Sequence, residues 1–278
     1  MDVIHTIDEL RRRLQGERSI VLVPTMGNLH AGHISIVDLA RTHGECVVAS
    51  IFVNRLQFEP GGDFDRYPRT LARDCAMLEK AGTAVVFAPD EPEMYPVPQE
   101  VVVMPPKVAA ALEGEYRPGH FPGVVTVVAK LFNIVRPHVA IFGKKDYQQL
   151  LVLTALAQQL SFGIRVVAAE TVREPDGLAM SSRNGYLSAA ERVEAVRLNR
   201  TLKGVQAAVA GGARDLEAIE REAEAELAKA GWRVDYVAVR RRAELEKPAD
   251  SDRELVVLGA AWLGRTRLID NIEIELPR

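Results

Sequence analysis

Ile20–Val53 reads IVLVPTMGNLHAGHISIVDLARTHGECVVASIFV. Ile20–Pro24 is a continuous apolar run of the length of a buried strand, and Cys46–Val53 is a second. Between them, His33–His43 carries apolar residues at three- and four-residue spacing, the period of a helix with one buried face. Gly44 stands where a helix-ending glycine belongs. Strand, helix and strand in succession form the repeating unit of a parallel sheet.

Outward from this unit the pattern repeats. Further strands are expected at Ala84–Ala88, Val101–Met104, Val139–Phe142 and Ile164–Ala169, and helices at Thr70–Ala81, Gly123–Val135 and Tyr147–Leu160. The N-terminal MDVIHTIDELRRRL is charged and helical in pattern. Such a sheet is covered on both faces and takes ligands at the carboxyl ends of its strands. After Glu170 the pattern changes: VREPDGLAMSSRNGYLS is polar, rich in turn residues and without helical period. Ser188 and Glu191 make a capping box that opens a helix to about Ala210, and a second helix, Asp215–Ala230, ends at Gly231. Three β-patterned runs follow, Val234–Val239, Leu255–Trp262 and Arg267–Ile274. The expected fold class is therefore α/β, a doubly wound parallel sheet over residues 1–174 with a smaller C-terminal α+β domain over 175–278.

Composition bounds the function. The 278 residues are 47% hydrophobic and 26% charged, the balance of a soluble globular protein of two ordinary domains or one large one. Thirty-five Lys and Arg against 38 Asp and Glu give a net charge of −3, so no global positive field recruits nucleic acid and any phosphate binding is local. No apolar run reaches the roughly 18 residues of a spanning helix, so no membrane partner is expected. Cys46 and Cys75 lie in apolar segments without CxxC spacing, which fits buried thiols in a reducing compartment. The N-terminus lacks the apolar region of a secretory signal, and a cytoplasmic address is the expectation.

Four polar clusters carry the chemistry. In MGNLHAGH, His30 and His33 are three apart at the start of a helix, beside backbone N–H groups that favour phosphate. They could hold a nucleotide's phosphates and stabilise a departing pyrophosphate. A metal pair or ordinary capping groups are the alternatives; a metal needs further ligands, and no HExxH or clustered cysteine and carboxylate spacing supplies them. In FVNRLQF, Asn54 and Gln57 offer uncharged donors and acceptors for a small polar substrate, although such residues also make surface turns. In FGKKDYQQL, Gly143 permits close backbone approach, Lys145 can reach a phosphoryl oxygen and Asp146 can accept from ribose hydroxyls or cap the helix. In LAMSSRN, Ser181, Ser182 and Arg183 suit a phosphate and could close over it as a mobile clamp. The GxxxxGK[ST], GxGxxG and GxSxG signatures are absent, which disfavours a Walker-type ATPase, a dinucleotide dehydrogenase and a serine hydrolase.

Together, PTMGNLHAGH, FVNRLQF, YPRT, EYRPGHFPGV, FGKKDYQQL and GLAMSSRNGYLS occur in an order and spacing that resembles the pantoate–β-alanine ligases of coenzyme A biosynthesis, over essentially residues 1–190. The histidine turn alone marks only the wider nucleotidylyltransferase and class I aminoacyl-tRNA synthetase group. The resemblance implies a Rossmann-like sheet of the nucleotidylyltransferase type that binds ATP and pantoate, a lid- and dimer-associated C-terminal domain, and a homodimer. It implies that Met26, Gly27, Asn28, Leu29, His30, Ala31, Gly32 and His33 line the ATP site, with His30 and His33 at the phosphates and His33 as proton donor. Gly143, Lys144, Lys145 and Asp146 would contact ATP, with Val172 beside the adenine and Met180, Ser181, Ser182 and Arg183 around nucleotide and phosphates. Gln57, Gln149 and Asn54 would hold pantoate, Gln57 also bordering β-alanine. His30, His33, Lys145 and Arg183 would be catalytic, and Mg²⁺ would come with ATP, without protein ligands that can be named.

The implied reaction is attack of the pantoate carboxylate on the α-phosphorus of ATP, release of pyrophosphate, then attack of the β-alanine amine on the acyl adenylate with loss of AMP. A nucleotidylyltransferase acting on a substrate phosphate and a non-catalytic nucleotide-binding module are the rivals. This chain departs from the family at Arg55, where proline is usual, at Gly62, near which an acidic residue is usual, and at Lys144, where Glu or Gln is common. Arg55 is expected to loosen its loop or add charge near the substrate mouth, and Lys144 to point to solvent.

Overall fold

The computed structural model describes residues 1–58 and 64–277. The chain divides into two compact units, Met1–Lys144 with Gln149–Glu170, and Lys145–Gln148 with Thr171–Arg278.

In the first unit the elements are β1 (Asp2–Ile4), α1 (Ile7–Leu14), β2 (Ile20–Thr25), α2 (Ala31–Ala40), β3 (Cys46–Ile51), α3 (Leu71–Lys80), β4 (Val85–Phe87), α4 (Glu91–Met94), α5 (Glu113–Tyr116), α6 (His120–Val135), β5 (Val139–Gly143), α7 (Tyr147–Gln159), whose first two residues belong to the second unit, and β6 (Arg165–Ala169). The six strands form one parallel sheet in the order β1-β4-β3-β2-β5-β6. Side chains alternate across a strand, and the core follows that alternation. Leu22, Val48, Phe87 and Ala140 enter one apolar cluster with α6, whereas Val21, Val23, Val47, Val86 and Ile141 enter another with α2 and α3. Both faces are thus covered, as the continuous apolar runs require. Helix α6 is buried nearly all round, and its Val-rich sequence is helical because that burial outweighs β propensity.

Three expectations fail here. Val101–Met104 is not a strand, and Val101 and Met104 are 80% and 77% exposed. The place beside β4 is taken by β1, in the register Asp2↔Val85 to Ile4↔Phe87, and prolines at 98, 105 and 106 flank the run without N–H groups to donate. The N-terminal segment is accordingly a strand first, and α1 starts only after Thr6 caps it. Gly44 does not end a helix, since α2 stops at Ala40; a Cβ there would lie 2.6 Å from the Ser19 hydroxyl, so glycine permits a close chain crossing.

The second unit adds α8 (Ala189–Glu194), α9 (Val196–Ala210), α10 (Leu216–Lys229), β7 (Arg233–Arg241), β8 (Glu254–Leu263) and β9 (Thr266–Glu275). The strands make an antiparallel sheet in the order β7-β8-β9. One core holds Leu198, Leu202 and Val205 of α9 with Leu227 of α10 and Val237, Val257 and Ile274 of the strands. The helix expected from Ser188 to Ala210 is interrupted at Ala195, although the Ser188–Glu191 capping box forms.

Candidate active site

The loops after β2, β3 and β5 leave the carboxyl edge of the parallel sheet, where β2 pairs with β3 on one side and β5 on the other. The chain proceeds from β2 to β3 and β4, then returns to the far side of β2, so β2 and β5 flank the topological switch point. Ligands bind at such a point in sheets of this kind.

The turn after β2 is pinned. Gly27 (φ 81°) and Asn28 (φ 52°) are both left-handed, and a Cβ on Gly27 would press at 3.1 Å on the Asp74 carboxylate. Asp74, on α3 and fully buried, accepts from the backbone N–H of Asn28 (2.8 Å) and Leu29 (3.0 Å) and from the Thr70 hydroxyl (2.9 Å). Arg73 donates to the Asn28 side chain and the Leu29 carbonyl at 2.9 and 3.1 Å. His30 then caps α2: its Nδ1 accepts from Gly32 N–H at 3.1 Å, and His33 Nδ1 accepts from His30 N–H at 3.3 Å. With each Nδ1 accepting, the neutral rings carry their proton on Nε2, as a phosphate donor must. The two rings lie 4.1 Å apart. Capping and ligand chemistry thus coexist on the same side chains.

After β3, a single 3₁₀ turn, Arg55–Gln57, carries Gln57. Helix α6 passes beneath it at Gly123, where a Cβ would lie 2.2 Å from the Leu56 carbonyl oxygen. Asn54, 1% exposed, donates from Nδ2 to the Gly123 carbonyl and to Gln57 Oε1, both at 3.1 Å, and accepts from the Tyr95 hydroxyl at 2.7 Å. Gln57 Nε2 points to Met26 Sδ at 3.1 Å, so candidate residues from two loops meet. His120 Nδ1 lies 3.0 Å from the Gln57 carbonyl. The Asn54 amide, which the resemblance places at pantoate, is hydrogen-bonded to the protein at both ends. After β5 come Gly143, the last strand residue, and Lys144, while Gln149 is half-buried on α7.

In the second unit, the Lys145 carbonyl accepts from Asn271 Nδ2 at 2.9 Å, and the Tyr147 hydroxyl donates to Glu273 at 2.9 Å, so β9 fixes the backbone beneath Lys145. Asp146 is exposed. Val172 and Met180 face each other across a short hairpin, with Met180 N–H donating to the Val172 carbonyl at 3.0 Å and a bridge from Arg173 to Ala179. Arg173 is bidentate to the buried Asp270 at 2.7 and 2.9 Å, and Asn199 donates to the same carboxylate at 2.9 Å. The base of this hairpin is held by a buried carboxylate. Ser181 Oγ accepts from Arg183 N–H at 3.2 Å and caps the turn Ser182–Tyr186.

Comparison with known proteins adds to this geometry. The sequence model of the pantoate–β-alanine ligase family matches residues 2–273. This chain belongs to the pantoate–β-alanine ligase family. It is 58% identical to a pantothenate synthetase of Nitrosospira multiformis, over 99% of this chain and 98% of that one, and 56% identical to that of Nitrosomonas europaea over the whole of both. It superposes on the crystal structure of a pantothenate synthetase from Thermus thermophilus with a TM-score of 0.94, 43% identity and full coverage of both chains. A Francisella tularensis pantoate–β-alanine ligase, solved in complex with beta-gamma ATP and β-alanine, matches at TM-score 0.84 and 30% identity, covering 98% of this chain and 97% of that one.

Two of the three departures from the family pattern, Arg55 and Lys144, have structural accounts. Arg55 adds charge that is paired: its Nε is 3.0 Å from Glu91 Oε1, and its guanidinium lies 3.9 Å from the centroid of the Phe64 ring. Lys144 does not run to solvent but pairs with Glu170 at 2.6 Å, its side chain 20% exposed. Gly62 lies outside the described residues. Among the described residues, no group of three His, Cys, Asp or Glu is placed to hold a metal, and no helix is long and apolar enough to cross a membrane. Sequence reasoning missed Asp74, Tyr95, His120 and Asn271. Two of them left a signal: Asp74 is a carboxylate four residues before Leu78 on the apolar stripe of the expected helix, and His120 lies within the EYRPGHFPGV motif.

Proposed function

We propose that this protein condenses (R)-pantoate with β-alanine to pantothenate, with ATP consumed through a pantoyl adenylate. The observation that carries the reading is the pinned histidine turn at the carboxyl end of β2, in a chain that matches the ligase family over residues 2–273. A carboxylate is a poor electrophile, and adenylation supplies the leaving group that amide formation needs. The protein's task is alignment and charge stabilisation. His30 and His33 donate hydrogen bonds from Nε2 to the phosphates, and the one from His33 stabilises the charge on the departing pyrophosphate while its proton stays on the ring; Lys145 and Arg183 offset charge on the phosphoryl group. Met26–His33, Gly143–Asp146, Val172 and Met180–Arg183 take ATP, while Gln57 and Gln149 take pantoate and Gln57 borders β-alanine. Mg²⁺ would come with ATP and would help neutralise the charge on its phosphates.

We further propose residues 1–174 as the nucleotide- and pantoate-binding domain, 175–278 as a lid- and dimer-associated domain, and a cytoplasmic homodimer. The two free thiols, Cys46 buried and raised to about 11 by that burial, support a reducing compartment. The deciding experiment measures pyrophosphate from ATP, Mg²⁺ and D-pantoate, with and without β-alanine, and follows AMP and product by mass. Pantoate-dependent pyrophosphate followed by β-alanine-dependent pantothenate is the expected result. Pyrophosphate released without regard to pantoate overturns it in favour of a nucleotidylyltransferase.

A further inference from the structure

The amide of Gln57 is held in one direction by a chain of groups that begins at a backbone carbonyl. The Gly123 oxygen can only accept, so the end of the Asn54 amide facing it at 3.1 Å is the nitrogen. Asn54 Oδ1 therefore faces Tyr95, whose hydroxyl donates to it at 2.7 Å. The second Nδ2 hydrogen goes to Gln57 at 3.1 Å, which makes the receiving atom Oε1. Gln57 Nε2 is thereby left on the Met26 side. An amide nitrogen there offers hydrogens to the oxygens of a carboxylate or hydroxyl, whereas the reversed amide would repel a carboxylate. Tyr95 is well placed to remain the donor. Burial raises its phenol above the ordinary value and the Glu91 charge acts in the same direction, so the proton stays on oxygen. Its ring packs 5.9 Å from Phe52 with the Lys130 ammonium 4.9 Å from its centroid, which holds the hydroxyl in place.

We propose that Asn54 and Tyr95 are positioning residues for the hydroxy-acid substrate: they set which end of the Gln57 amide meets pantoate, and neither needs to touch it. The inference rests on the assignment of pantoate to Gln57. It predicts a selective defect. Tyr95→Phe keeps the ring and leaves Asn54 Oδ1 buried without a donor; Asn54→Asp has no hydrogen for Gly123 or Gln57 and turns the Gln57 amide around.

The test is steady-state pyrophosphate release with KM for pantoate and for ATP determined separately, beside thermal melting of each variant. The expected result is a pantoate KM raised about tenfold in Tyr95→Phe and about a hundredfold in Asn54→Asp, with the ATP KM within about twofold of the parent. A merely structural role would move both constants together, and that outcome, or an unchanged pantoate KM in a folded Tyr95→Phe, overturns the inference. If Asn54→Asp does not fold, the two constants of Tyr95→Phe decide alone. Wild-type protein without pantoate dependence removes the underlying assignment, and the inference with it, which separates that failure from the first.

Discussion

Asp74 is a carboxylate removed from solvent, and three donors converge on it from the turn that carries the histidines and from Thr70. Its two oxygens satisfy N–H groups of Asn28 and Leu29 in a left-handed stretch that would otherwise relax. In Asp74→Asn one accepting oxygen becomes an NH₂ facing a donor. Pantoate-dependent pyrophosphate release is expected to fall at least about tenfold, with about 1–3 kcal/mol lost from urea stability. His33→Ala should lose orders of magnitude in the same assay at a smaller stability cost, because it removes a group proposed to act on the phosphates. A normal rate in Asp74→Asn would mean that the turn keeps its shape unaided. His30, His33, Gln57 and Lys145 stand out as candidates in the sequence because each sits in a short polar cluster after an apolar run. Asp74 and Tyr95 do not, because their partners lie 45 and 41 residues away and only the folded sheet brings them together.

Elements were legible where local period and burial agree. β2, β3 and β5 are buried on both faces and read as unbroken apolar runs, while α3 and α7 follow their spacing. Val101–Met104 looked the same, yet an edge position is won by competition, and the three residues of β1 were too short to register as a rival. The contact between α6 and the Arg55–Gln57 turn was also invisible, since it depends on the missing Cβ of Gly123. Gly123→Ala sets a methyl 2.2 Å from the Leu56 oxygen and 2.6 Å from the Gln57 nitrogen, both backbone atoms that cannot rotate away. The helix and the turn must separate. Urea denaturation should show a loss of about 1–3 kcal/mol, and the pantoate KM should rise as Gln57 shifts. Stability equal to the parent would show that the turn moves freely on α6.

At the scale of the whole chain, a cut after residue 174 follows the change of pattern at Glu170, but nothing local marks Lys145–Gln148. Those four residues join the second unit through Asn271 and Glu273, partners more than a hundred residues on. The two units also differ in how they meet acid. Among the described residues, carboxyls held below their ordinary values include Asp176 by Arg192, Glu191 by the Ser188 N–H, Glu194 by Arg197 and Glu217 by Lys247, all in the second unit, and Asp2 by Arg13 in the first. A carboxyl lowered on folding contributes stability above its ordinary value, here 3.8 or 4.5, and loses it as pH falls through the folded value. The groups are exposed or half-buried and each contributes little, but they bias the same unit. Both tryptophans, Trp232 and Trp262, belong to that unit, so emission reports it alone whereas far-UV circular dichroism sums over both. On acidification at low ionic strength the emission change should therefore come at higher pH than the loss of ellipticity. About 0.5 M salt should draw the two transitions together by screening the exposed pairs. Coincident transitions at low salt would mean that the units unfold as one cooperative body whatever their surface charges do.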